Sequence, residues 1–475
     1  MAFVDYIILG LYFGGLLIIG YVASRKQQST EDYYVGGRGT ATLPLAALWM
    51  SSWVGGASIM GTAEKSFEIG ISSLWYPVAM FFGFVVFALT FATRIKENGD
   101  QFKHITYPDL IEQRYDTRTR LVSTITSIVA YIGYTASQLL SAACIITTIT
   151  QISLGYAFCI ATVITVGYTS MGGFIAVEKT DRFQAMLIIC GVTFVAVPLT
   201  LSELGGLSRL TTELPPEFFN TGSWGWGTIL AMCISIILTF FTSMDSYTRC
   251  YAARSKSAAR NGTLLAALAV LLISGSVCIL GMCAKVLFPE GDGGTSALIT
   301  LIMNVFPAGA KGLMLVVLLS AIMSTADACI LNASANLTRD IYHRFINPDA
   351  PQRLILRISV ASSVLVGATG ALVGWFSEGI IALLVMTFTI NSAGLFLPTL
   401  GVFLWKKATP QAAFWSMTIS LVTVLGWHAA SKFIPASSLF AIDPIWPGLA
   451  ASAVVFTLLS LQSPETIPAT ANKQI

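Results

Sequence analysis

Long apolar stretches recur along the chain from its first residues to about residue 462, and charged or turn-forming segments separate them. A stretch of about 20 apolar residues is long enough to cross a bilayer as a helix. The pattern predicts thirteen membrane-spanning helices with no soluble domain of usual size between them. Their expected bounds are 4–24, 41–68, 73–93, 121–148, 154–172, 181–202, 226–249, 262–284, 312–340, 354–375, 378–404, 411–429 and 446–462.

Composition agrees with a membrane location. Of 475 residues, 55% are hydrophobic and only 11% are charged, whereas a soluble domain usually carries about 25% charged residues. The first apolar stretch lacks the basic segment of a signal peptide, so we interpret it as a retained helix. We expect one transmembrane domain over residues 1–462 and a cytoplasmic tail over 463–475.

Basic residues predict the orientation, because Lys and Arg near the ends of spans are held on the cytoplasmic side. If the N-terminus is outside, 22 of the 27 basic residues fall in cytoplasmic segments. The five others are Lys65, Arg209, Lys285, Lys311 and Lys432. We therefore expect a plasma (inner) membrane protein with its N-terminus outside and its C-terminus in the cytoplasm.

The second predicted span contains SSWVGGASIMGTAE, residues 51–64, in which Gly55 and Gly56 are adjacent. Each glycine weakens a helix by about 1 kcal/mol relative to alanine. A break there frees the carbonyls from Ser51 to Val54, and irregular backbone at membrane depth is tolerated where it is buried or lines a cavity. The alternative is an unbroken helix whose glycines form a close-packing face.

A second polar cluster is SAIMSTADACILNAS, residues 320–334, which carries Ser324, Thr325, Asp327 and Asn332 on one predicted helix. Hydroxyl, carboxylate and free carbonyl oxygens are the ligands that a small hard cation needs. The alternative is that these residues only join helices, as Ser and Thr often do in membranes. Buried carboxylates are costly in a bilayer, so Asp181 and Asp245 are further candidates.

Taken together, these motifs resemble the sodium:solute symporter family. The resemblance rests on EDYYVGGR, GGFIAVEKTDRFQAM, TRCYAARS and STADACILNASANLTRDIY, and it runs from about residue 32 to beyond residue 344. It implies an all-α polytopic membrane protein with a LeuT-type core of five plus five inverted-repeat helices over about 41–404. One leading helix at 4–24 and two trailing helices within 411–462 would complete thirteen spans.

The resemblance also implies a main sodium site. Its ligands would be the carbonyl oxygens of Ser51, Val54 and Ala321 and the hydroxyls of Ser324 and Thr325. Asp181 matches an acidic residue that the family associates with sodium release or with a second sodium ion. Asp327 stands where members with a second sodium often have a hydroxyl, and its alternative role is to pair with a buried donor.

For the expected solute pocket, some residues resemble one branch of the family and others depart from it. WVGGASIMGTAE and CILNAS resemble the choline-transporter-like branch, in which the residue matching Trp53 helps to cage a quaternary ammonium by cation–π contact. Ser243 and Ser246 stand where that branch has aromatic residues. Asp245 could neutralise an ammonium group or, alternatively, pair with Arg249. The predicted substrate-binding residues are Trp53, Ser58, Tyr134, Gln138, Ser243 and Asp245.

The function that this pattern favours is sodium-coupled import of a small organic solute by alternating access. We expect an amine, quaternary-ammonium or zwitterionic solute; the alternative is an amino acid such as proline, a carboxylate or a sugar. A different possibility is a membrane sensor that binds solute without moving it. We find no HExxH, GxSxG or P-loop motif of an enzyme. The expected partners are sodium, the solute and the bilayer, with no nucleic acid, and the chain is expected to work as a monomer.

Overall fold

The computed structural model describes residues 1–24, 30–289, 297–377, 379–433, 440 and 442–462. Almost all of these residues are helical, and an isolated β-bridge joins Thr40 to Ala253. A helix hydrogen-bonds its own backbone N–H and C=O groups, for which the lipid core of a membrane offers no partners. The prediction of an all-α polytopic membrane protein is therefore confirmed. The predicted tail at 463–475 lies outside the described residues.

The helices of the first half of the chain are numbered here in order. They are α1 Phe3–Ser24, α2 Thr30–Val35, α3 Thr42–Trp53, α4 Thr62–Ile69, α5 Trp75–Thr90, α6 Ala92–Phe102, α7 Tyr107–Arg114, α8 Thr117–Thr150, α9 Leu154–Ile188, α10 Val197–Leu204 and α11 Ser208–Glu213. Wider π-helical turns at Ala57–Gly61 and Ile189–Ala196 lead into α4 and α10.

The second half continues in the same way. Its helices are α12 Trp226–Thr239, α13 Met244–Ala252, α14 Lys256–Leu287, α15 Ala297–Val305, α16 Ala310–Ala335, α17 Gln352–Trp375, α18 Ile380–Leu404, α19 Pro410–Phe433 and α20 Ile445–Gln462. A π-helical segment, Asn336–Ile346, extends α16.

Within the described ranges, eleven helical stretches are long and apolar enough to cross a membrane, against thirteen predicted. The two predicted spans that do not qualify are 41–68 and 154–172. The first is divided, because α3 ends at Trp53 and the following helical run, Ala57–Thr90, takes in the next predicted span as well. The second is a shorter apolar helix, Leu154–Ser170.

The predicted connection at 173–180 is wrong, because α9 continues through it as a helix with a kink at Gly173. The polar residues there suggested a loop. Arg182 instead pairs with Glu178 one turn earlier, at 2.5 Å. Gly173 makes the kink with φ 54° and ψ −161°, a conformation that side-chain-bearing residues rarely adopt.

Helix α16 lies at the centre of the molecule and is almost wholly buried. It packs against α1, α3, α8, α9 and α17. The broken end of α3 therefore faces a helix that carries the second polar cluster. Helices α19 and α20 pack against each other and against α18, away from this centre.

Candidate functional site

The break in α3 brings backbone polar groups into the protein interior. Val54 leaves helical geometry with φ −92° and ψ 74°, and the helix restarts within two residues. A Cβ at Gly55 would lie 2.5 Å from Gln138 Oε1, and one at Gly56 would lie 2.1 Å from Ser141 Oγ. The same two glycines therefore stand at the break and allow α8 to pack closely against it.

Helix α16 places its hydroxyls against the last turn of α3. Thr325 Oγ1 donates to the carbonyl oxygen of Ser51 at 2.7 Å, and Ser324 Oγ lies 3.2 Å from the same oxygen. Ser324 Oγ is also 3.1 Å from the carbonyl oxygen of Ala321. Four of the five predicted sodium ligands are thus in direct contact, and Val54 lies at the break beside them.

Two of the predicted carboxylates, Asp181 of α9 and Asp327 of α16, lie where these two helices pack together, and both are fully buried. Asp181 Oδ2 accepts a hydrogen bond from Ser51 Oγ at 2.5 Å, while its Oδ1 has no partner among the described residues. Asp327 accepts hydrogen bonds from Tyr168 and Thr169 of α9. Asp181 therefore touches a predicted sodium ligand, and Asp327 has the buried donors of its alternative role.

All six predicted substrate residues line one small cavity. Sequence reasoning missed several other lining residues: Ser52, Tyr76, Cys329, Leu384 and Phe388. Gly55 and Thr325 also line the cavity. The cavity and the predicted sodium ligands thus share both α3 and α16.

Asp245 has partners on two helices besides its own. Tyr131 of α8 donates to Oδ2 at 2.8 Å, and Asn332 of α16 donates to Oδ1 at 2.5 Å. Arg249 stays 3.8 Å away and donates instead to Ser52 Oγ, at 2.6 Å. Asp245 therefore lines the cavity and also pairs loosely with Arg249, and its contact with the solute stays a prediction. Tyr131 was missed, although it lies one helical turn before Tyr134.

Trp53 is not arranged as the expected cation cage. Phe240 stacks on its ring with centroids 3.8 Å apart and planes within 10°. Phe388 lies parallel to it at 5.8 Å. A cation must sit over a ring face to gain cation–π attraction, and Phe240 covers one face of Trp53. Trp53 belongs to an aromatic stack that forms one wall of the cavity.

Comparison with known proteins agrees with the fold and the motifs. The high-affinity proline transporter PutP of Bacillus subtilis (strain 168) is 27% identical, with 94% of this chain and 96% of that protein covered. The sodium/pantothenate symporter of Haemophilus influenzae is 27% identical, with 86% of each chain covered. These relatives do not support the predicted likeness to the choline-transporter branch.

A solved structure of a Na⁺-coupled sialic acid symporter matches with a TM-score of 0.84 at 20% identity, covering 98% of this chain and 99% of that one. The fold is thus LeuT-like. A model of the sodium:solute symporter family matches residues 33–420. The family model and the curated relatives show that the protein is a transporter, not an enzyme. The chain therefore belongs to the sodium:solute symporter family.

Proposed function

We propose that the solute of this sodium-coupled symporter is a small zwitterionic amino acid, and that proline is the first candidate. The observation that carries the proposal is the pair of opposite electrostatic features lining one cavity. Asp245 supplies a carboxylate, and the restart of the broken helix at Gly55, Ala57 and Ser58 supplies a helix N-terminus. The proline transporter among the relatives supports the same class.

Each feature suits one end of an amino acid. Helix N-termini carry partial positive charge, and half-helices in transporters face anionic substrate groups with them. The solute carboxylate would lie there, and its ammonium would lie near Asp245. Choline has no carboxylate for the helix N-terminus, and Phe240 covers one face of Trp53, the ring expected in a choline cage.

Sodium would take the oxygens that meet beside the cavity. The main site in this proposal uses the carbonyls of Ser51, Val54 and Ala321 and the hydroxyls of Ser324 and Thr325. These hydroxyls now donate to protein carbonyls, and rotation about the Cβ–O bond would turn their lone pairs towards an ion. Asp181 and Asp327 would serve a second sodium ion or the release path.

Coupling follows because the two sites share structure. Thr325 and Gly55 line the solute cavity, and Thr325 also contacts Ser51. An ion that orders these groups favours solute binding, and by linkage the solute favours the ion by the same factor.

We further propose the five-plus-five arrangement of core helices, with the α3–α4 unit as its first member. The chain would have thirteen spans in all and an N-terminus outside the plasma membrane.

The test is the melting temperature of the purified protein with a panel of solutes in sodium or potassium buffer. The panel contains proline, other amino acids, choline, pantothenate and glucose. A ligand at 100 times its Kd stabilises the folded state by about 2.7 kcal/mol. We expect stabilisation by an amino acid in sodium only. Stabilisation by choline or glucose with no response to amino acids would contradict the proposed solute class.

A further inference from the structure

The leading helix α1 lies outside the expected repeat core, yet it packs against α9 and α16. These two helices carry Asp181, Asp327 and the hydroxyls of the proposed sodium site. Two polar side chains of α1, Asp5 and Tyr12, form hydrogen bonds with these helices. Both are buried, with Asp5 fully inaccessible and Tyr12 only 7% exposed.

Tyr12 bonds to α9 close to Asp181. Its hydroxyl oxygen accepts a hydrogen bond from Gln184 Nε2 at 2.8 Å. Gln184 is fully buried and lies three residues after Asp181, on the same face of α9. Asp181 in turn bonds to Ser51. Tyr12 of α1 and Ser51, a proposed sodium ligand, thus bond to side chains one turn apart on the same face of α9.

Asp5 bonds to the beginning of α16. Its Oδ1 accepts from the backbone N–H of Gly309 at 2.7 Å and of Gly312 at 2.9 Å. These N–H groups belong to a helix N-terminus, which has no acceptors of its own for them. A Cβ at Gly312 would lie 2.6 Å from Asp5 Cα, so the two backbones approach closely.

We propose that α1 sets the sodium affinity by holding α9 and α16 in register, with Tyr12 and Asp5 as positioning residues. The inference rests on the proposed sodium role of Ser51, Ser324 and Thr325. Functional ligands must be held within about 0.5 Å of their productive geometry. Asp5 fixes the start of α16 and Tyr12 fixes the last turn of α9, so loss of either contact loosens the oxygens between the two helices.

The test is Tyr12→Phe, which removes the hydroxyl and keeps the packed ring. One lost hydrogen bond corresponds to about a fivefold change in affinity. We expect the sodium concentration for half-maximal uptake to rise by about that factor. The solute concentration for half-maximal uptake at saturating sodium should stay unchanged, and the melting temperature should fall only slightly, because one buried hydrogen bond is lost. The matched control is Tyr6→Phe on the same helix, where the side chain is 49% exposed.

A double-mutant cycle with Gln184→Leu tests the route of the effect. If Tyr12 acts through Gln184, Tyr12→Phe changes the sodium dependence of Gln184→Leu by far less than fivefold. Unchanged sodium dependence in Tyr12→Phe, or equal losses of sodium and solute affinity, would overturn the inference while leaving the symporter intact. Sodium-independent uptake by the wild-type protein would instead contradict the proposed function together with this inference.

Discussion

At the scale of single residues, the sodium proposal depends on two hydroxyls of α16. Ser324→Ala or Thr325→Ala removes one oxygen ligand, so the ion would keep fewer partners than it needs. We expect the sodium concentration for half-maximal uptake to rise about tenfold in each variant, which corresponds to about 1.4 kcal/mol.

The control for these variants is Thr369→Ala, because Thr369 is half-buried and, among the described residues, its hydroxyl bonds to the backbone of its own helix. The measurement is solute uptake against sodium concentration. If both variants match the control, the sodium ligands are wrongly assigned.

Asp245 is the proposed countercharge for a positively charged group of the solute. Asp245→Asn removes the countercharge for an ammonium group, and losing a charged hydrogen-bond partner costs about 1.5–3 kcal/mol. Solute affinity should therefore fall about tenfold to a hundredfold, whereas sodium binding without solute should change much less. Titration of the solute found in the stability screen measures both effects.

Asp349→Asn is the control for Asp245→Asn, since it removes the same charge from an exposed position. A solute that Asp245→Asn binds as tightly as the wild type does would rule out a salt bridge between its ammonium and Asp245.

Residue types identified much of the candidate site in advance. A carboxylate within an apolar span is costly unless it is used, and this reasoning led to Asp245, whereas Gln138 and Ser243 were predicted from the family resemblance. Phe240, Phe388 and Tyr131 could not be found in this way, because aromatic residues are ordinary in membrane helices. The stacking of Phe240 on Trp53 could not be predicted either, because it depends on helices that are far apart in sequence.

At the scale of elements, the break in α3 is the feature on which both proposed sites depend. Gly56→Ala would gain about 1 kcal/mol of helix propensity. The new Cβ, however, would lie 2.5 Å from Ser141 Cβ, which is attached directly to the α8 backbone. Overpacking of this kind costs about 1–3 kcal/mol, so we expect a lower melting temperature and weaker transport.

The matched control is Gly275→Ala in α14, where a Cβ would meet nothing within 4 Å. It should leave the melting temperature unchanged or raise it slightly. Equal behaviour of the two variants would show that α8 does not pack against the break as described.

Hydropathy located the helices well but could not tell a kink from a loop. At 173–180 the charged pair of Glu178 and Lys179 interrupts the apolar pattern, and the expected loop is helical. The turn there comes from Gly173 alone. At Gly55 and Gly56 the residues alone favoured a packing face, and the family resemblance implied a break. The structure has both, because the break also packs against Gln138 and Ser141.

At the scale of the whole molecule, the sequence motifs were enough to predict the family and an all-α membrane fold. The solute did not follow from them, because relatives of similar identity carry names as different as proline and pantothenate transporters. In our proposal the lining of one cavity separates such solutes, and α3, α5, α8, α13, α16 and α18 build it together.

The central claim is that an inward sodium gradient drives accumulation of an amino acid by this protein. The most direct measurement is uptake of radiolabelled proline, or of whichever amino acid most stabilises the purified protein, into proteoliposomes with sodium or potassium outside. The account predicts saturable accumulation above the external concentration with sodium, and none with potassium. Equal accumulation in both salts, flux that only equilibrates the solute, or binding without flux would contradict it.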